Sequence, residues 1–377
     1  MSKSKKIEKI WETTPLFKIY DVIRVYNKFM TGENIKKGKG FIDDNVVVVE
    51  AYIDNIFSKF KDSNYFFNQN EFKEYFKEEQ EEIKKKFGNE MTIGPKDYRD
   101  IICKIIAKLI LEKEKYSDFI KNIYNDSKNI FSEYYNQNQP FISEAAEEAR
   151  KKKEPQQCNW GKLKNTVAVQ RCLKDMDEVK ISNDKNLNFF YINRELSPYR
   201  TEGAGQKSSG RFGIDLIGWN TGGNNNKNAG LVFCEIKVGS DFNLFFALIQ
   251  LLTYSSAMMT DNQIQRLKNG QDNKDTLFEK KENFLKDLRE IEKPKAYLYI
   301  LLVNFIPPTI KKLDKNKYNT SVKKDILEST LKIIEDLKNK LKDEFLDIAV
   351  LKLDNGKPEI NKVDWNCNNF LDTQLRH

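Results

Sequence analysis

The sequence predicts an α/β fold: a mixed central sheet flanked by helices, with an all-helical domain in front of it. Three observations carry this prediction. Residues 1–150 place apolar side chains near helical spacing and show no alternating strands. A charged run ending in proline follows at 147–157, and beyond it short apolar runs alternate with helical ones. The reading divides the chain into a helical domain at 1–150 and an α/β domain at 158–377.

In the first half, IEKIWETTPLFKIYDVIRVYNKF, VVVVEAYIDNIFSKF, EFKEYFKEEQEEIKKKF and YRDIICKIIAKLILEKEKYSDFIKNIYNDSKNIF each carry a helical stripe, with VVVV at 46–49 the ambiguous piece. GENIKKGKG at 32–40 is read as a loop, because its glycine spacing is wrong for a phosphate loop and Gly40 stands where Ser or Thr is needed. The run EEARKKKEPQQ reads as a solvated helix end and linker, with Pro155 as the stop.

A helix is expected near 159–178, then strands at 187–196, 211–219 and 231–239. TGGNNNKNAG joins the last two as a hairpin turn. SDFNLFFALIQLLTYSSAMM follows as a helix, with Ser240 or Asp241 as its N-cap. A charged helical insertion near 276–292, a buried strand at 296–304, a long amphipathic helix at 320–345 and a strand at 346–353 complete the order. A crossover through the 241–259 helix sets the 296–304 strand beside 231–239, which makes the sheet mixed.

Composition narrows the chemistry. The 377 residues carry 64 Lys+Arg against 56 Asp+Glu, a formal charge of +8 that suits a polyanionic partner, although a lysine- and asparagine-rich composition can arise without one. Five cysteines without a CxxC pair argue against a disulfide framework and a zinc ribbon, so a reducing cytoplasm is expected. No signal-peptide pattern opens the chain, and AYLYILLVNFI at 296–306 is too short to span a bilayer. The lone histidine is His377, so chemistry that needs a histidine is disfavoured and carboxylates, lysine and a metal remain.

The run FCEIKVG at 233–239 looks like buried strand yet holds Glu235 and Lys237. Alternation puts those two on one face and Cys234, Ile236 and Val238 on the other. Pairing with 211–219 at about 4.8 Å brings Asp215 close to Glu235, and a hard divalent cation relieves the repulsion of the two carboxylates. Mg²⁺, with Mn²⁺ as substitute, would take Asp215, Glu235 and the Ile236 carbonyl, while Lys237 orients water or stabilises charge on phosphate. The plainer alternative is a structural salt bridge from Lys237 to Asp215 or Glu235.

GID at 213–215, the glycine-rich turn and EIK at 235–237 resemble the metal-binding core of the PD-(D/E)XK, or restriction-endonuclease-like, nuclease superfamily. Gln250 and Tyr254, four apart on the next helix, match the Gln-x-x-x-Tyr element of several of its branches. The resemblance covers about residues 158–305. It implies a restriction-endonuclease-like core and a Mg²⁺-dependent nuclease, a DNA endonuclease more readily than an RNA one, of the kind used in restriction or phage defence. It implies catalytic roles for Asp215, Glu235, Lys237, Gln250 and Tyr254. A homodimer would suit cutting both strands of a duplex.

Arg211, on the Asp215 face, is a further phosphate-binding candidate. One feature departs from the family: the helix before the first strand lacks the expected acid and offers Thr166 and Gln170, so Glu195, or else Glu144 or Glu148, is the substitute. The competing reading is a catalytically inactive nuclease fold that binds nucleic acid or a protein partner.

Overall fold

Apolar runs that alternate their side chains between two covered faces build a single six-stranded sheet. The computed structural model describes residues 13–20, 22–23, 54, 57, 68–87, 95–113, 116–133, 157–196 without 177, 213–222, 228–239, 243–269, 282–304 and 317–363 without 355 and 357, together with two-residue strands at 40–41 and 92–93. The amino-terminal elements are β1 (Gly40–Phe41), α1 (Gln69–Phe87), β2 (Thr92–Ile93), α2 (Pro95–Glu112) and α3 (Tyr116–Glu133), and residues 15–20 are helical. Next come α4 (Thr166–Asp175), β3 (Phe190–Leu196), β4 (Ile214–Thr221), β5 (Ala229–Val238) and α5 (Leu244–Met258). The chain continues through α6 (Asp261–Asn269), α7 (Glu282–Glu290), β6 (Lys295–Val303), α8 (Lys317–Lys340), β7 (Phe345–Leu353) and β8 (Ile360–Lys362).

The strands lie in the order β3-β4-β5-β6-β7-β8. β3, β4 and β5 run antiparallel, β5, β6 and β7 run parallel, and β8 is antiparallel to β7. The sheet is therefore mixed, with helices supplying the connections that parallel neighbours require. The hairpin and the placement of β6 beside β5 agree with the sequence reading. The short strand β8, the helix α6 and the β1–β2 pair do not appear in it, because segments of two to nine residues carry too little periodicity to stand out.

Alternation along β5 and β6 separates two cores. Leu231, Phe233, Leu298, Ile300 and Leu302 face a cluster that includes α5 and α8, while Val232, Cys234, Ile236, Tyr299 and Leu301 face one that includes Leu163, Val169, Cys172 and Leu173. The first cluster is continuous with Leu16, Ile19, Tyr20 and Ile23 and with Ile102, Ile106 and Tyr124 of α2 and α3. The boundary assigned to 147–157 lies almost wholly outside the described residues, and the elements on its two sides share this one apolar core.

One expectation from cysteine spacing is corrected. Cys158 and Cys172, fourteen residues apart, form a disulfide that ties the segment before α4 to that helix, while Cys103 and Cys234 are free and buried. Sequence spacing gave no hint of this pair because its two members meet through the turn at Trp160–Lys162. Among the described residues no helix is long and apolar enough to cross a membrane.

Candidate active site

The ladder between β4 and β5 runs from Thr221↔Ala229 to Leu216↔Cys234 and stops there. Beyond it the Asp215 carboxylate, rather than a backbone carbonyl, accepts the Ile236 N–H at 2.8 Å. The carbonyl of Asp215 is taken from the other side, by the Gln170 amide Nε2 at 2.6 Å. A charge-assisted bond has thus replaced a ladder bond, and the strands part where the acidic side chains stand. Gly239 closes β5 with φ of +66° and donates its N–H to Val303, a conformation that an L side chain adopts only under strain.

Glu235 and Lys237 lie on the α5 face. Lys237 Nζ donates to Glu235 Oε1 at 2.8 Å and to Gln250 Oε1 at 2.8 Å. Their side chains are only 4% and 10% exposed, so this is a buried ion pair that water does little to screen. The second carboxylate oxygen, Glu235 Oε2, is buried and has no hydrogen-bond partner among the described residues. An orphan anionic oxygen at that depth is costly unless something bound there completes it. Burial pushes the neighbouring Cys234 thiol well above its ordinary pKa, and the charges of Asp215 and Glu235 add to the shift.

The helix carrying Gln250 begins at Asn243, not at Ser240 or Asp241. Asn243 Oδ1 accepts from Phe246 N at 2.8 Å, the expected geometry for an N-cap. Phe246 stands four residues before Gln250 and lies on the same helical stripe. Its ring centroid is 5.2 Å from Lys237 Nζ and 5.6 Å from the Arg99 guanidinium, and it stacks on Tyr20 at 5.6 Å. Lys237 is therefore flanked by a carboxylate, an amide oxygen and an aromatic face, each of which attracts a cation.

Of the residues singled out in the sequence, Asp215, Glu235, Ile236, Lys237 and Gln250 converge here. Tyr254 stands one turn further along α5: it is 1% exposed, and its hydroxyl donates to Tyr20 at 3.3 Å inside the apolar cluster. That contact ties α5 to Tyr20. Arg211, Glu144 and Glu148 lie outside the described residues, and Glu195 is described only as part of β3. Gln170, set aside in the sequence for want of charge, is fully buried with its Oε1 unpartnered and its Nε2 on Asp215. Phe246 and Arg99 were not among the candidates; Phe246 stands four residues before Gln250 on the same stripe, whereas nothing in the sequence of α2 set Arg99 apart from its neighbours.

The two carboxylates supply hard oxygen donors, and the orphaned Glu235 oxygen is the feature a divalent cation would satisfy, so the residues present fit Mg²⁺ or Mn²⁺. The chain was compared with family models, curated proteins and solved structures. None of them matches it.

Proposed function

We propose that the chain is a Mg²⁺-dependent nuclease, acting as an endonuclease on DNA, with Mn²⁺ able to substitute. The observation that carries this reading is the buried Glu235 carboxylate, half neutralised by Lys237 and half unpartnered, beside the opened ladder at Asp215. Asp215 and Glu235, with the carbonyl of Ile236, would hold the cation. When bound, it would polarise a phosphodiester oxygen and help to generate the attacking hydroxide.

The chain's own groups have separate tasks. Lys237, anchored by Glu235 and Gln250, presents a positive charge where a phosphate accumulates negative charge in the transition state. Gln250 cannot take the lysine proton, so it orients the ammonium without competing for it. Gln170 and the Ile236 N–H hold the backbone and side chain of Asp215 in place, which spares the site that reorganisation during the reaction. A net charge of +8 favours a polyanionic substrate. A homodimer would bring one site to each strand of a duplex.

A cleavage panel tests the proposal: supercoiled plasmid, linear duplex, single-stranded DNA and RNA, each with Mg²⁺, Mn²⁺ or EDTA. Cation-dependent cutting of circular DNA is the expected result. Salt-sensitive binding without turnover in either metal would instead select a nuclease-like module that only binds.

A further inference from the structure

The amino-terminal helix α2 reaches the cap of α5 through a buried polar contact. Asp100 of α2 is 2% exposed and Asn243, the cap of α5, is 4% exposed. Asn243 Nδ2 donates to Asp100 Oδ1 at 2.7 Å, and Arg99 Nη2 approaches the same oxygen at 3.4 Å. A carboxylate only accepts, so it takes the NH₂ end of the Asn243 amide and turns the carbonyl end toward Phe246 N. That is the orientation the cap requires. An asparagine caps a helix without a buried acid behind it, and burying an acid is costly, so stabilising the helix does not by itself account for Asp100.

What Asp100 adds is position. The first turn of α5 carries Phe246, whose ring lies beside both Lys237 and Arg99, and the next turn carries Gln250, which accepts from Lys237. A shift in where α5 begins, or in its rotation, moves both groups relative to the lysine. We propose that Asp100 is a positioning residue of the site: through the Asn243 amide it sets the start and rotation of α5, and so the places of Phe246 and Gln250 around Lys237. The amino-terminal helices are thereby a structural part of the site. The catalytic consequence rests on the nuclease reading above, whereas the contact and its effect on α5 do not.

Reciprocal exchange of the two side chains in the full chain tests this. Asn243→Asp keeps an acceptable cap but sets a second buried carboxylate against Asp100. Adding Asp100→Asn restores one donor–acceptor pair with its polarity reversed, since Asn at 100 donates and Asp at 243 both accepts and caps. The readouts are hydrogen exchange at the Phe246 and Ala247 amides, referenced to amides of β6, and kcat and KM for plasmid cleavage in Mn²⁺. Asn243→Asp should speed exchange in the first turn of α5 by about tenfold to a hundredfold while β6 is unchanged. It should lower kcat at nearly constant KM, and the double variant should recover both readouts.

A double variant as impaired as Asn243→Asp, or an Asn243→Asp protein that matches wild type, overturns the proposal. Should Asn243→Asp fail to fold, Asp100→Leu, which removes the acceptor without adding charge, must speed exchange in that same turn selectively, and equal exchange there would overturn the proposal. A wild-type protein that cuts no nucleic acid removes the nuclease reading and leaves the exchange comparison to decide the role of Asp100.

Discussion

The two ends of the β4–β5 hairpin differ in what satisfies the backbone. From Thr221↔Ala229 to Leu216↔Cys234 the ladder is regular, and Leu231, Val232 and Phe233 are fully buried. At the other end, Asp215 takes the place of a ladder acceptor, and Glu235 and Lys237 occupy positions where the pattern calls for apolar side chains. The first end is held by packing, the second by paired charge. A strand therefore accommodates buried ions where its neighbour has parted from it and a helix supplies the remaining hydrogen bond, here Gln250.

The largest effect should come from removing what covers the charged end. Because α5 and α8 share a core with Leu16, Ile19, Tyr20 and Ile23 and with α2 and α3, a 158–377 fragment exposes that apolar surface and should lose cooperative unfolding, measured by circular dichroism melting. A fragment that melts as sharply as the full chain would show that the shared cluster contributes little.

Substitutions at the two ends should next prove similar in size and different in remedy. Phe233→Ala at the packed end and Lys237→Ala at the charged end should each destabilise by about 3–5 kcal/mol, the first by leaving a cavity and the second by stranding Glu235. Added Mn²⁺ should restore much of the melting temperature of the Lys237 variant and none of that of the Phe233 variant, because a cation can replace a lost charge but cannot fill a cavity. Equal responses to Mn²⁺ would erase the distinction between the ends.

Reduction of Cys158–Cys172 should cost about 3 kcal/mol on chain-entropy grounds, since the bond closes a loop of about fifteen residues. Urea unfolding with and without a dithiol reductant measures it. A smaller loss, about 1–3 kcal/mol, is expected for Gln170→Leu, which leaves the Asp215 carbonyl without its amide donor at nearly constant volume. If the charged end is organised as described, the Gln170 variant should weaken Mn²⁺ binding in calorimetry, and reduction should weaken it less.

How much was legible follows from the range of each interaction. Period-two alternation is local, so the faces of β5 and the pairing of Glu235 with Lys237 could be read from FCEIKVG alone. Gln250 was singled out by the resemblance to a Gln-x-x-x-Tyr element, and the four-residue step that put Tyr254 on the same face could not tell that Tyr254 would be buried against Tyr20. Asn243 stands close behind two other good caps, and only the position of Phe246 N selects it. Asp100, Arg99 and Gln170 were out of reach because their partners lie 143, 147 and 45 residues away. The Cys158–Cys172 pair was missed because spacing rules recognise motifs, not turns that bring two thiols together.

The most direct test of the central claim is plasmid cleavage by wild type and by Glu235→Gln in Mg²⁺, with melting recorded on both proteins. The substitution keeps the shape of the side chain and an oxygen for Lys237 while removing the anion. Wild type should nick the plasmid, and Glu235→Gln, still folded, should be slower by at least about a hundredfold. Equal cutting by a folded Glu235→Gln protein would contradict it, as would a wild type that leaves the plasmid intact in both Mg²⁺ and Mn²⁺.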